Sequence, residues 1–146
     1  MPSPPTFSFC APSNSGKTTF LCALITRLKK TGIRVGACKS CHHPIKSNSV
    51  NSDSSRLKEA GADKSIAIVG AKNWPKTKLA LMDMDIVLIE GGRQFGEPAI
   101  LLAGWKNDPD WQPPRIVHAD ISERQNPLEA AFQIAQNAVL HTHPPL

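Results

Sequence analysis

The stretch that constrains the fold most is a change of period across residues 6–30. Residues 6–10 (T-F-S-F-C) form a short apolar run with the character of a buried central strand. Further on, Phe20, Leu21, Leu24, Ile25 and Leu28 recur at helical spacing, with Arg27, Lys29 and Lys30 on the other side and Gly32 after them. Between the two lie Ala11-Pro12-Ser13-Asn14-Ser15-Gly16-Lys17-Thr18-Thr19. A strand, a tight polar loop and a helix, in that order, open a crossover whose next strand runs parallel to the first.

The loop is spelled like a phosphate-binding P-loop, G-x-x-x-x-G-K-[S/T], with Ala11 in place of the first glycine. Gly16 lets the backbone aim N–H groups at a phosphate. Lys17 supplies a charge that reaches the β- and γ-phosphates, and the Thr18 hydroxyl is placed for a Mg²⁺ ion. The helix N-terminus adds unpaired N–H groups and a positive dipole end. Ser13, Asn14, Ser15 and Thr19 complete the cradle. A polar loop with a helix cap would use the same Ser and Thr residues. The strand directly before and the amphipathic helix directly after favour the nucleotide.

At 146 residues the chain is expected to form one P-loop nucleotide-binding domain spanning residues 1–146, long enough to bury an ordinary core. The net charge of +5 does not indicate nucleic acid, because the 17 Lys and Arg residues are scattered with almost no interleaved aromatics. A mild positive field that attracts anionic small molecules explains the charge as well. No stretch reaches the roughly 18 apolar residues of a membrane span. The first residues carry no basic region of a signal peptide. Cys10, Cys22, Cys38 and Cys41 fall inside expected elements, which fits a reducing compartment, so the expected location is the cytoplasm.

Further strands are expected over residues 33–39, 64–69, 85–90, 99–103 and 115–119, and helices over 53–60 and 127–140. Residues 40–52 read as a long functional loop, 73–78 as a turn, 79–84 as a weakly determined bridge of helical character, and 104–114 as an exposed excursion carrying Trp105 and Trp111. Strands alternating with helices predict a doubly wound α/β sheet, mostly parallel, of the P-loop NTPase kind.

In such sheets ligands sit beyond the carboxyl ends of the strands. Three strand ends carry suitable chemistry: the loop after residue 10, Lys39-Ser40-Cys41-His42-His43, and Glu90-Gly91-Gly92-Arg93. Glu90 closes four apolar residues, as the acidic residue of a Walker B strand does, where it can hold Mg²⁺ or position a water. Asp53, expected at a helix start, is a candidate N-cap, a Mg²⁺-shell carboxylate, or both. Lys39, His42, His43, Gly91 and Arg93 are candidates for anion binding beside the phosphates. Cys38-Lys39-Ser40-Cys41-His42 matches the spelling of a c-type haem site, but a P-loop strand offers no second axial ligand. Its C-x₂-C spacing leaves zinc or nickel open, with His42 and His43. Arg56 and Arg93 are candidates for an arginine finger.

Taken in order, A-P-S-N-S-G-K-T-T, K-S-C-H-H, S-D-S-S-R-L-K-E-A-G-A and L-I-E-G-G-R resemble the MobB family of molybdopterin-guanine dinucleotide biosynthesis adapter proteins. The likeness is carried by Lys17 and Thr18, Lys39 with His42 and His43, Asp53 with Ser54, and Glu90 with Gly91; it covers residues 7–104 well and the rest loosely. Ser40 stands where the family often has a histidine, and Arg93 where a lysine is usual. The segment between Gly61 and Asp85 is shorter than in the family, and no N-K-x-D guanine motif is present. The resemblance implies a GTP-binding protein with weak Mg²⁺-dependent GTPase activity. It also implies a homodimer that assists the molybdopterin guanylyltransferase and its molybdopterin-type cofactor. GTP over ATP follows from the resemblance alone, with Asp120, placed after the last strand, as a candidate for the base. Lys17, Asp53 and Glu90 are then the candidate catalytic residues, and Thr18, Asp53 and Glu90 the candidate metal ligands. Two other readings compete: a nickel or zinc metallochaperone GTPase using Cys38, Cys41, His42 and His43, and a nucleotide-dependent small-molecule kinase.

Overall fold

The computed structural model describes residues 3–13, 15–41 and 50–142, with the side chains of residues 50–54 outside the description. Six strands, β1 (Thr6–Cys10), β2 (Val35–Cys41), β3 (Lys64–Val69), β4 (Ile86–Glu90), β5 (Ala99–Leu101) and β6 (Val117–Asp120), form one sheet in the order β3-β2-β4-β1-β5-β6. Every neighbouring pair is parallel. The helices are α1 (Lys17–Lys29), α2 (Val50–Glu59), α3 (Trp74–Ala80) and α4 (Pro127–Thr142). Among the described residues no helix is long and apolar enough to cross a membrane.

Strand alternation sorts the core into two faces. Phe7 and Phe9 of β1, Val35 and Ala37 of β2, and Ile86 and Leu88 of β4 pack with Leu21, Leu24, Ile25 and Leu28 of α1. Burying those four helix side chains contributes about 6–12 kcal/mol by area bookkeeping, as an upper bound. Residues of the other parity, Cys38, Val87 and Ile89, meet Trp74, Leu81 and Met84 on the α3 side. Both faces of the central strands are thus covered, which is why they read as near-continuous apolar runs.

The differences from the expectations have local causes. β2 runs to Cys41 rather than residue 39, because β3 pairs with it as far as Cys41↔Val69. The helix after it starts at Val50 rather than residue 53, so the loop expected over 40–52 is shortened from both ends; residues 42–49 lie outside the described residues. Asp53 is therefore inside α2 and not its N-cap. The turn expected over 73–78 is instead a 3₁₀ turn (Ala71–Asn73) followed by α3, with Pro75 in the first turn, where a missing N–H is harmless. The bridge expected over 79–84 is only the end of α3 and a turn. β6 starts two residues later than expected and ends one residue later, which takes in Asp120. The excursion over 104–114 is not wholly exposed: Trp105 and Trp111 fold back on Cys10, Ala99 and Leu101, with ring centroids 6.1 Å apart.

Candidate functional site

The order of strands places β1 between β4 and β5, with β2 beyond β4, so the chain reverses direction across the sheet beside the carboxyl end of β1. The crevice there is where doubly wound sheets bind ligands. α1 begins at Lys17 itself, three residues before the expected start, so Lys17 and Thr18 occupy its first turn. Gly16, at φ +80°, precedes it in the left-handed region, and a Cβ built there would meet nothing within 4 Å. Glycine is required at this point by the backbone conformation, and open space lies beyond it. Ala11 packs in the apolar cluster of the α1 face, which accounts for a methyl group at the position where P-loops usually carry glycine. The Lys17 ammonium donates to the Ala11 carbonyl at 3.2 Å. Burial, and then the Lys39 charge, push the Lys17 pKa below its ordinary value, with Glu90 opposing them. Ser15 donates its hydroxyl to the Pro12 carbonyl within the loop.

Glu90 continues the Ile86–Leu88 parity of β4, and Lys39 the Val35–Ala37 parity of β2. Lys39 and Glu90 are register partners, as are Phe9 and Glu90. The carboxylate and the ammonium therefore emerge side by side on the α1 face, under the first turn of the helix. Glu90 is only 2% exposed. Its Oε1 accepts from the Thr18 hydroxyl and faces the Lys39 ammonium at 3.2 Å. Its Oε2 is buried with no hydrogen-bond partner among the described residues. These side chains border a cleft of about 310 Å³, which Ser13, Thr19 and Arg56 also reach. Arg56, from α2, donates to the Thr19 hydroxyl at 3.1 Å.

A second cavity of about 120 Å³ lies on the far side of Lys17 and Ser13. Cys10 and Ala11 line one wall, and Gly91, Gly92, Arg93 and Trp111 the other. Gly92 has φ +72°, and a Cβ there would come within 2.7 Å of Ile89 and 2.9 Å of Phe95, so the turn after Glu90 admits no side chain. Arg93 donates to the Gln112 carbonyl at 2.6 Å, which ties the cation to the returning excursion. Burial pushes the Cys10 thiol up to about 11, against the opposing charges of Lys17 and Arg93. Cys10 and Trp111 were missed in the sequence. The signal for Trp111 was its size: two tryptophans in one polar stretch are seldom left uncovered.

The structure thus brings together Ser13, Gly16, Lys17, Thr18, Thr19, Lys39 and Glu90, with Gly91 and Arg93 beside them. Asn14, His42 and His43 lie outside the described residues, and the Asp53 side chain is likewise not described. Cys38 does not join the site: it is fully buried beneath Ile68 and Trp74, and burial pushes its thiol up to about 12. Among the described residues no group of three His, Cys, Asp or Glu is placed to hold a metal ion. Asp120 is in β6 rather than after it, and its Oδ1 accepts from the Ser122 N–H and hydroxyl and from Trp105 Nε1.

Comparison with known proteins agrees with this geometry. A de novo designed protein with a P-loop NTPase fold superimposes with a TM-score of 0.59 at 11% identity, over 99% of each chain. The chain is 35% identical over 104 residues to the molybdopterin-guanine dinucleotide biosynthesis adapter protein of Haemophilus influenzae, covering 62% of this chain and 58% of that one. It is 30% identical over 103 residues to the adapter protein of the same name from Escherichia coli, covering 60% and 58%. It is 29% identical over 109 residues to the probable adapter protein of Bacillus subtilis, covering 65% and 62%. The chain thus spans about three fifths of the length of the curated relatives it matches. A family model described as molybdopterin guanine dinucleotide synthesis protein B matches residues 6–113, a span that contains the loop, the Lys39–Glu90 pair and the Gly91-Gly92 turn. The chain belongs to that family.

Proposed function

We propose that the protein is a GTP-binding adapter of molybdopterin-guanine dinucleotide biosynthesis with a slow, Mg²⁺-dependent GTPase activity. One observation carries the nucleotide part: Thr18 and Glu90, from the helix start and the strand end of a P-loop sheet, touch inside a cleft floored by the loop. A hydroxyl and a carboxylate are hard oxygen donors of the kind Mg²⁺ takes, and the buried Glu90 Oε2 lacks any partner among the described residues. The donor set therefore fits Mg²⁺ at Thr18 and Glu90, with the Asp53 carboxylate as a third candidate. Bound there, the ion would neutralise charge on the β- and γ-phosphates. Gly16 and the N-terminus of α1 offer N–H groups to the phosphates; Ser13, Ser15 and Thr19 complete the cradle, with Asn14 a further candidate from its place in the sequence. Lys17 exchanges its Ala11 contact for the triphosphate, and Glu90 or Asp53 orders the metal or the attacking water.

Lys39, Gly91 and Arg93 border the neighbouring wall, where positive charge suits an anionic second ligand such as a molybdopterin-type cofactor, and His42 and His43, which follow β2 in the sequence, are the further candidates to bind it. The guanine preference, the homodimer, the guanylyltransferase partner and the cytoplasmic location rest on family membership and on the names of the relatives. The test is a titration of GTP against ATP with Mg²⁺, on the parent protein and on Lys17→Ala. GTP binding by the parent, weakened about 100-fold or more in the variant, supports the reading. No measurable binding of either nucleotide to the parent refutes it.

A further inference from the structure

The pair Lys39–Glu90 holds more than an ordinary strand-end ion pair needs. We propose that Lys39 is a built-in counter-ion to the Glu90 carboxylate, which it occupies until a divalent cation binds and then releases, so that Lys39 sets the metal affinity of the site. The proposal rests on the reading of Thr18 and Glu90 as the metal donors.

Four observations support it. The β2–β4 register sets Lys39 directly opposite Glu90, and a one-residue slip would turn the whole of β2 over, so the pairing is built into the sheet. The carboxylate is almost wholly enclosed, with a side-chain exposure of 2%, whereas that of Lys39 is 20%. In an exchange it is therefore the ammonium, on its flexible stem, that moves, while the carboxylate stays in place. The ion pair and the Thr18 hydroxyl both fall on Oε1, which leaves Oε2 buried and without a partner among the described residues. A buried carboxylate arranged only for stability would have both oxygens satisfied. Finally, Lys39 borders the same cleft as Lys17 and Thr18, so once released it remains beside the phosphates rather than leaving the site. An ammonium and a divalent ion on one carboxylate repel each other at contact distance, so the two occupy Glu90 in turn. The triphosphate gives the displaced ammonium a new partner. Metal and nucleotide binding are then coupled, each favouring the other.

The experiment is Mn²⁺ binding to the full chain, read from the loss of the free-ion electron paramagnetic resonance signal. It is run without nucleotide on the parent, Lys39→Met and Lys39→Arg, and with GTP on the parent as a control. Lys39→Met is expected to bind Mn²⁺ at least about tenfold more tightly than the parent, because the competing cation is gone. Lys39→Arg, whose guanidinium grips a carboxylate with two N–H groups, is expected to bind it several-fold more weakly. In thermal unfolding Lys39→Met should start about 5–10 °C below the parent and recover on adding Mg²⁺. A purely structural ion pair would lose stability without recovering it and would not move the two variants in opposite directions. Equal Mn²⁺ midpoints in all three proteins overturn the role of Lys39 while leaving the metal site standing. If Mn²⁺ fails to bind the parent even with GTP, the Thr18–Glu90 metal site itself falls. Should Lys39→Met not fold, the Lys39→Arg shift alone decides.

Discussion

Replacing Glu90 by Gln separates what that side chain does for the fold from what it does for chemistry. Glutamine has nearly the same volume and keeps a carbonyl to accept from the Thr18 hydroxyl, so packing at this 2% exposed position is preserved. Two electrostatic effects change. The desolvation of a buried carboxylate, one oxygen of which has no partner among the described residues, is relieved, and this favours the variant by about 1–3 kcal/mol. The ion pair to Lys39 is lost, and since that ammonium reaches the cleft mouth its contribution is about 1 kcal/mol or less. The amide nitrogen that replaces Oε2 is buried with no acceptor among the described residues and gives back about 1 kcal/mol of that relief, so the ligand-free variant is expected to match or exceed the parent by up to roughly 1 kcal/mol, a rise of about 2–4 °C in Tm for a domain of this size. GTP binding should stay within a few-fold, while Mg²⁺-dependent hydrolysis falls about 10–100-fold as the metal loses its charged donor. The assays are thermal unfolding by circular dichroism without nucleotide and phosphate release with Mg²⁺ and GTP. A stability gain with an activity loss marks a residue kept for function at the fold's expense. A variant destabilised by more than about 2 kcal/mol would make Glu90 a structural residue, and equal hydrolysis rates would remove it from the chemistry.

Gly92→Ala should cost about 1–3 kcal/mol in denaturant unfolding, because the new Cβ meets Ile89 at 2.7 Å with φ at +72°; Gly96→Ala, with similar φ but open space, should cost less, and equal losses would show that crowding plays no part. At pH 8 a maleimide should label Cys22 and Cys41 ahead of Cys10 and Cys38, whose thiols burial raises to about 11 and about 12; early modification of Cys38, mapped by mass spectrometry, would mean that the α3 side of the sheet opens readily. Partial burial works against ionisation of Asp63, but the Lys29 ammonium and the Val35 N–H outweigh it and hold the carboxyl below its ordinary value. A depressed folded-state pKa contributes stability above the unfolded value and loses it as pH falls. The gap between parent and Asp63→Asn in urea should therefore shrink below about pH 4, and a gap unchanged down to pH 3 would refute this.

How much of this site could be read from the sequence depends on the range of the interaction involved. The loop was legible because its parts are contiguous: an apolar run, Gly16-Lys17-Thr18 and a helical period leave one arrangement, and β1 and α1 follow it. β4 was legible because four apolar residues closed by Glu90 and followed by Gly91-Gly92 form a local pattern, and its end proved to be where the turn needs glycine. Trp111 was misplaced because Cys10, which it covers, is distant in sequence, and no local pattern shows the excursion folding back on β1 and β5. The Lys39–Glu90 pair needed more still. Its two residues are 51 positions apart, and no local feature states that β2 and β4 are neighbours, since β3 lies between them in sequence but not in the sheet. Ending the strand at Lys39 made that lysine its last residue, with no paired strand beyond it to fix its direction. Carrying β2 on to Cys41 holds Lys39 inside the pleat, where parity with Val35 and Ala37 sends it to the α1 face. Strand length and sheet order, neither of them written locally, turn a strand-end cation into the fixed partner of a buried carboxylate. For that reason the metal affinity of this site is expected to respond to residue 39 as strongly as to the donors themselves.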